Sequence, residues 1–289
     1  MPSTHMRLRA GYEISIRCPR PTPLLAFLSL HPSRAPDVHA DALVVTDRDC
    51  SLTTFVDPLG NVCTRALAPA GVLTFRTDFL IDDAGLPDAS AEGARQVPIE
   101  ELPEEVLPYL AASRYCESDK LSPVAWSLFG DVTPGAERVQ AIERYVHARI
   151  TFGYEHASST RSAWEVHHGC RGVCRDFVHL AVAFCRAMNI PARYCSGYLG
   201  DIGVPPSDIP MDFTAWMEVY LDGRWYTFDP RHAARRIGRV LMARGRDAAD
   251  VPLYTTFGPS ELVRFRVHAH ESERAIASRS PLEVGRHEA

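Results

Sequence analysis

Residues 172–199 read GVCRDFVHLAVAFCRAMNIPARYCSGYL. Phe177, Leu180, Ala181, Phe184 and Met188 recur at helical spacing, so the stretch from near Val173 to Met188 is a helix with one apolar face. Asn189 suits a left-handed C-terminal cap, and Pro191 forbids continuation. Ala192–Leu199 then reads as a strand. The turn containing Gly172 delivers Cys174 to the first turn of the helix. There the helix dipole and the unpaired N–H groups favour an anion, so the thiol pKa is expected to fall and a nucleophilic thiolate to become available. The same N–H groups suit an oxyanion on an attacked carbonyl. The structural alternative is a buried, inert thiol, the usual state of a cysteine without a partner.

Further along, residues 214–230 read TAWMEVYLDGRWYTFDP. Thr214–Leu221 and Arg224–Phe228 are strand-like, and Asp222-Gly223 between them is a two-residue hairpin signal. With that turn, Trp216 pairs with Asp229 and Thr214 with Arg231. Thr214 and Asp229 are then diagonal neighbours on one face, about 7–8 Å apart. Trp216 is a candidate substrate platform, although aromatic strand residues more often belong to the core.

The two stretches together resemble the transglutaminase-like superfamily, which is related to papain. The family pattern is Gly-x-Cys-x-Asp, an apolar helix, Ile-Pro-Ala-Arg, and later His-Ala-Trp-x-Glu-Val with Trp-x-x-Phe-Asp-Pro. The resemblance covers roughly residues 105–260. It implies an α+β, papain-like transglutaminase core with helices packed on an antiparallel β-sheet. It also implies a Cys-His-Asp triad working by acyl transfer, with Cys174 as nucleophile and Asp229 orienting the base. The family's histidine falls on Thr214. A threonine hydroxyl does not titrate near neutrality, and a missing general base typically removes on the order of 10²–10⁴-fold in rate. His156 and His232 are the candidate substitute bases. His232 follows Asp229 by three residues, so it turns to the opposite face unless Pro230 breaks the strand. His179 is expected to make a buried hydrogen bond, and His167 and His168 to be solvated. The resemblance thus implies thiol-dependent acyl transfer on amides through a Cys174 thioester: peptide or isopeptide hydrolysis, or transamidation. The alternative is a catalytically impaired peptide-binding module that keeps the cleft. A protein or peptide partner is expected, and no cofactor.

Before the core, residues 1–90 alternate in short runs and read as a β-rich, sandwich-like domain, similar to the extra domain of bacterial members. Residues 91–105, rich in proline, read as a linker. Residues 106–268 form the expected core and 269–289 a polar C-terminal tail. Thr133-Pro134 reads as the start of the helix carrying Val139, Ile142, Val146 and Ile150. Residues 235–251 read as basic and irregular or loosely helical; Arg235, Arg236, Arg239, Arg244 and Arg246 suggest a solvated face or an ion-pair network. The formal net charge of -5 and the absence of a basic block argue against nucleic acid. No apolar run reaches the ~18 residues of a membrane span, and no signal peptide is evident. The cytoplasm is the expected compartment, where most of the eight cysteines would be small core residues. Cys170 and Cys174 with His167 lack a second ligand pair, so no metal is expected.

Overall fold

The computed structural model describes residues 6–39, 44–48, 50–207 and 209–272. The N-terminal strands are β1 (Met6–Cys18), β2 (Thr22–Ala26), β3 (Val45–Thr46), β4 (Leu52–Val56), β5 (Val62–Ala68) and β6 (Gly71–Asp83). The helices are α1 (Ser118–Phe129), α2 (Ala136–Arg149), α3 (Ala163–Gly169) and α4 (Cys174–Ala187). Short strands β7 (Thr151–Phe152) and β8 (Arg171–Gly172) lie among them. The remaining strands are β9 (Ala192–Leu199), β10 (Thr214–Leu221), β11 (Arg224–Phe228), β12 (Arg239–Gly245), β13 (Tyr254–Thr256) and β14 (Glu261–Glu271). No helix of the described residues is long and apolar enough to cross a membrane.

The architecture is α+β, as the resemblance implied. Helix α4 is buried along nearly its whole length, which explains its lack of a polar face. It packs against α1, α2 and α3 on one side and β9 and β10 on the other. The central antiparallel sheet has the order β11-β10-β9-β12. All eight residues of β9 are buried. One face of this sheet meets α4 through Tyr194, Ala215 and Met217. Further along the sheet, Tyr198, Val240 and Met242 join a second core with Leu8, Ile14, Phe75 and Phe79, and Cys195, Trp216 and Leu241 are buried on the other face. A sheet covered on both faces has no polar side, so β9 loses the alternation of a half-exposed strand.

Strand pairing crosses the expected domain boundaries. The N-terminal strands form two sheets, ordered β14-β1-β6-β3 and β13-β2-β5-β4. Each takes a strand from the C-terminal part of the chain. β14 pairs with β1 from Leu8↔Glu271 to Arg17↔Glu261, and β13 pairs with β2. Residues 254–271 therefore complete the N-terminal layer instead of closing the core. The expected tail lies beyond this strand, and residues 273–289 are outside the described set.

Residues 91–105 form a strap on the core rather than a detached linker. Ala91 and Ala94 are buried in the helical core, and Leu102 and Val106 pack on Tyr220. Two further readings are corrected. Arg239–Gly245 is a strand against β9: Val240 and Met242 enter the second core, Leu241 packs with Cys195 and Trp216, and Ala243 enters the helical core. Helix α2 is capped by Gly135, at φ 99°, and not by Thr133. A side chain at Gly135 would sit 2.5 Å from the Ala94 carbonyl oxygen, so the strap leaves room only for glycine.

Candidate active site

The start of α4 is shaped by Gly172 and Asp176. Val173 is extended, and its N–H donates to Asp176 Oδ2 at 2.9 Å. A Cβ on Gly172 would lie 2.5 Å from that same oxygen, so glycine is what lets Asp176 fold back over the turn. Asp176 is completely buried, with Arg161 at 3.5 Å and Arg175 at 3.6 Å. This clamp holds Cys174 as the first residue of the helix.

Cys174 is 9% exposed, and its thiol donates to the Phe213 carbonyl across 3.9 Å. Burial pushes the thiol up to about 11, and the Asp212 carboxylate adds to the effect. Arg231 and the backbone amides of Ala215 and Arg175 pull the other way. The expected low-pKa thiolate is therefore not the resting state: burial outweighs the helix start.

Thr214 opens β10 opposite Gly197 of β9. It is buried, and its hydroxyl has no hydrogen-bond partner among the described residues. The β10–β11 hairpin has the anticipated register, from Leu221↔Arg224 to Met217↔Phe228. Asp222 and Gly223 both take positive φ, 48° and 84°, as a two-residue turn of this hand requires. The ladder then ends at Phe228, and Asp229 begins a tight turn through Pro230.

That turn brings His232 back onto Asp229. The N–H groups of Arg231 and His232 donate to Asp229 Oδ1 at 3.2 and 3.1 Å. His232 Nδ1–H donates to Oδ2 at 2.9 Å, and Arg239 Nη2 to the same oxygen at 2.7 Å. Burial alone would raise the Asp229 carboxyl, but His232 and Arg239 hold it well below the usual carboxylate range. Arg239 is itself buried and reaches Asp88 at 2.9 Å, so at least this part of the arginine cluster is an internal ion-pair network. Asp229 N–H donates to Glu143 Oε1 of α2 at 2.8 Å, which fixes the turn to the helical layer.

A cavity of about 560 Å³ lies in front of these groups. Asp212, Thr214, Arg231, His232 and Tyr154 line one side, and Val267–Glu271 of β14 another. Cys174 lies behind this wall: its thiol contacts the carbonyl of Phe213, which sits between the lining residues Asp212 and Thr214. His156 is not part of the lining; its Nε2 lies 3.6 Å from Glu155. Trp216 is 2% exposed and packs with Cys195 and Leu241, so it is a core residue and not a substrate platform. His179 is buried, accepts from Ala248 N–H at 3.1 Å and stacks on Tyr115. His168 is exposed as expected, whereas His167 is buried beneath Tyr145 and Phe184.

Asp212 went unnoticed in the sequence. Burial raises its carboxyl to about 6, against the opposing pull of the Phe213 N–H and Arg231. The available signal was an acid between Met211 and Phe213, two residues before the position of the family's histidine.

Residues 124–230 match the model of the transglutaminase-like superfamily. An uncharacterized protein of Mycobacterium leprae is 30% identical over 135 residues, which span 43% of this chain and 47% of that relative, under half of its length. An uncharacterized protein of Mycobacterium tuberculosis strain H37Rv is 28% identical over 232 residues, 74% of either chain. The crystal structure of a "Putative Cysteine Protease" from Cytophaga hutchinsonii superposes with a TM-score of 0.81 at 28% identity, covering 94% of this chain and 93% of that one.

Proposed function

Because residues 124–230 form a transglutaminase-like core, we propose that the chain performs thiol-dependent acyl transfer on amides through a thioester on Cys174. Its substrate is a protein or peptide amide, and the acyl group passes to water or to an amine. One observation carries this reading. The thiol at the start of α4 donates to the carbonyl of Phe213, whose neighbours Asp212 and Thr214 line a cavity that also presents His232, the residue paired with Asp229. Attack by the sulfur forms the S–C bond and places charge on the carbonyl oxygen. N–H groups at a helix start and the unpaired Thr214 hydroxyl are donors suited to that charge. Asp229 engages Nδ1–H of His232, which leaves Nε2 free to relay the proton released by the thiol to the departing amine. His232 is favoured over His156 because it lines the cavity and is already oriented by a carboxylate.

A second reading, a peptide-binding module without turnover, is favoured by the raised thiol pKa. An activated acyl ester separates the two. Incubation with p-nitrophenyl acetate followed by peptide mapping should find the acetyl group on Cys174, ahead of Cys185 and Cys195. Cys174→Ala should abolish it. If acetylation is absent from Cys174 while a peptide library still binds, the chain is a binding module.

A further inference from the structure

We infer that Asp212 is the proton acceptor for the Cys174 thiol, a carboxylate doing what position 214 cannot. The inference deepens the acyl-transfer reading and rests on it. The thiol donates to the carbonyl of Phe213, the residue next to Asp212, and Thr214 follows directly. Asp212 and Cys174 thus flank one short piece of backbone at the head of β10. Asp212 also lines the cavity in which an acyl group would sit.

The charges agree with this placement. Asp212 is the leading charge acting on the thiol, followed by Arg231 from the turn after β11. Tyr154, from the segment after β7, is influenced by Asp212, Arg231 and Cys174 together. The charged and titratable groups whose charges couple to the carboxylate are the thiol of α4, the Arg231 guanidinium and Tyr154, and the Phe213 N–H bonds to it. With a carboxyl pKa of about 6, Asp212 is ionised at neutral pH and is a stronger base than an exposed aspartate.

A carboxylate base changes the form of the reaction. An imidazole that takes the thiol proton becomes a cation and stabilises a thiolate before attack. A carboxylate becomes neutral, so no ion pair forms and the thiol stays protonated until substrate arrives. Proton transfer then accompanies attack. The S–H proton moves to Asp212 as the S–C bond forms, and the C–N bond breaks as that proton passes on through His232 Nε2 to the amine, which returns Asp212 to a carboxylate. In the second half, water gives its proton to Asp212 and its oxygen to the acyl carbon. The sulfur leaves and recovers a proton from Asp212. The high thiol pKa, otherwise an argument against activity, is the expected companion of such a base.

The test is the rate of Cys174 carboxamidomethylation by iodoacetamide from pH 5 to 9, read by peptide mapping. The wild-type rate should rise through a limb near pH 6. Asp212→Asn should remove that limb, making the variant roughly tenfold slower at pH 7. It should be faster at pH 9, because loss of the neighbouring negative charge eases thiol ionisation. Asp212→Glu should restore part of the limb, and His232→Ala should leave it in place. Acetylation of Cys174 by p-nitrophenyl acetate at pH 7 should fall about 10²-fold in Asp212→Asn. Superimposable wild-type and Asn profiles, or a limb that disappears with His232 instead, overturn the inference. The wild-type profile alone also decides, should the Asn variant not fold: without a limb near pH 6 the inference is wrong. Loss of the limb in Asp212→Asn without any wild-type acetylation upholds the proton acceptor and sinks the acyl-transfer reading.

Discussion

Position 214 holds a buried hydroxyl at the edge of the cavity, next in sequence to the carbonyl that the Cys174 thiol contacts, where the family pattern has a histidine. Thr214→His should place an imidazole beside both Cys174 and the cavity. It would depress the thiol pKa and supply an acid for the leaving amine. The enlargement costs about 1–3 kcal/mol if the neighbours must move, although the adjoining cavity offers space. The expected result is a folded variant with faster Cys174 alkylation at pH 7 and more ester hydrolysis; a folded variant with neither gain argues against a cleft built for acyl transfer. Asp229 carries a different burden, because Arg239 depends on it. Asp229→Asn leaves a buried guanidinium with one carboxylate, Asp88, and breaking a buried pair costs on the order of 3–5 kcal/mol. The folded-state pKa of Asp229 is depressed, so its contribution is present above the ordinary carboxylate pKa near 4 and is lost as pH falls below it. Thermal melts should therefore show a large deficit for the variant at pH 7 that narrows at pH 3.

Among the elements, α4 and the β10–β11 hairpin were the most legible. The apolar spacing after Cys174, the cap at Asn189 (φ 60°) and the Asp222-Gly223 turn are local signals, and local signals survive folding. The hairpin register was also readable, and one residue later the expectation turned on whether Pro230 breaks the strand. A proline after Asp229 ended the strand, so alternation no longer governed His232, which came back to the carboxylate. Asp212 was missed for the opposite reason: its place two residues before Thr214 is a weak local mark, and its importance comes from a helix and a turn that reach it from elsewhere. Trp216 looked available because burial on both faces of a sheet cannot be read from one strand. Two glycines test the element scale. Gly172→Ala should displace Asp176 from the Val173 amide, lower the melting temperature and change the rate at which Cys174 labels. Gly197→Ala should do more damage, because its Cβ would lie 2.1 Å from the Val240 carbonyl oxygen between β9 and β12. If its melting curve matches the wild type, the spacing of those two strands is looser than described.

For the molecule as a whole, the central sheet is shared by two cores. Residues 106–268 expressed alone would lose β1 and β6, leaving Tyr198, Phe213, Val240 and Met242 without the Leu8, Tyr12 and Phe79 that cover them. That fragment should bind a hydrophobic dye and lack a cooperative melt, whereas the chain through residue 272 should melt in one transition. Domain boundaries were the least legible feature, since pairing between β1 and β14 joins residues such as Arg17 and Glu261, which lie 244 positions apart. That pairing has a consequence for biosynthesis. A ribosome adding roughly 5–20 residues each second needs about 12–50 s between those two residues, and β1 waits for its second neighbour throughout. Because Val267–Glu271 also wall the cavity, the nascent polypeptide has no finished pocket until β14 has been translated. A stalled or truncated product would thus carry the cysteine but not the enclosure around it.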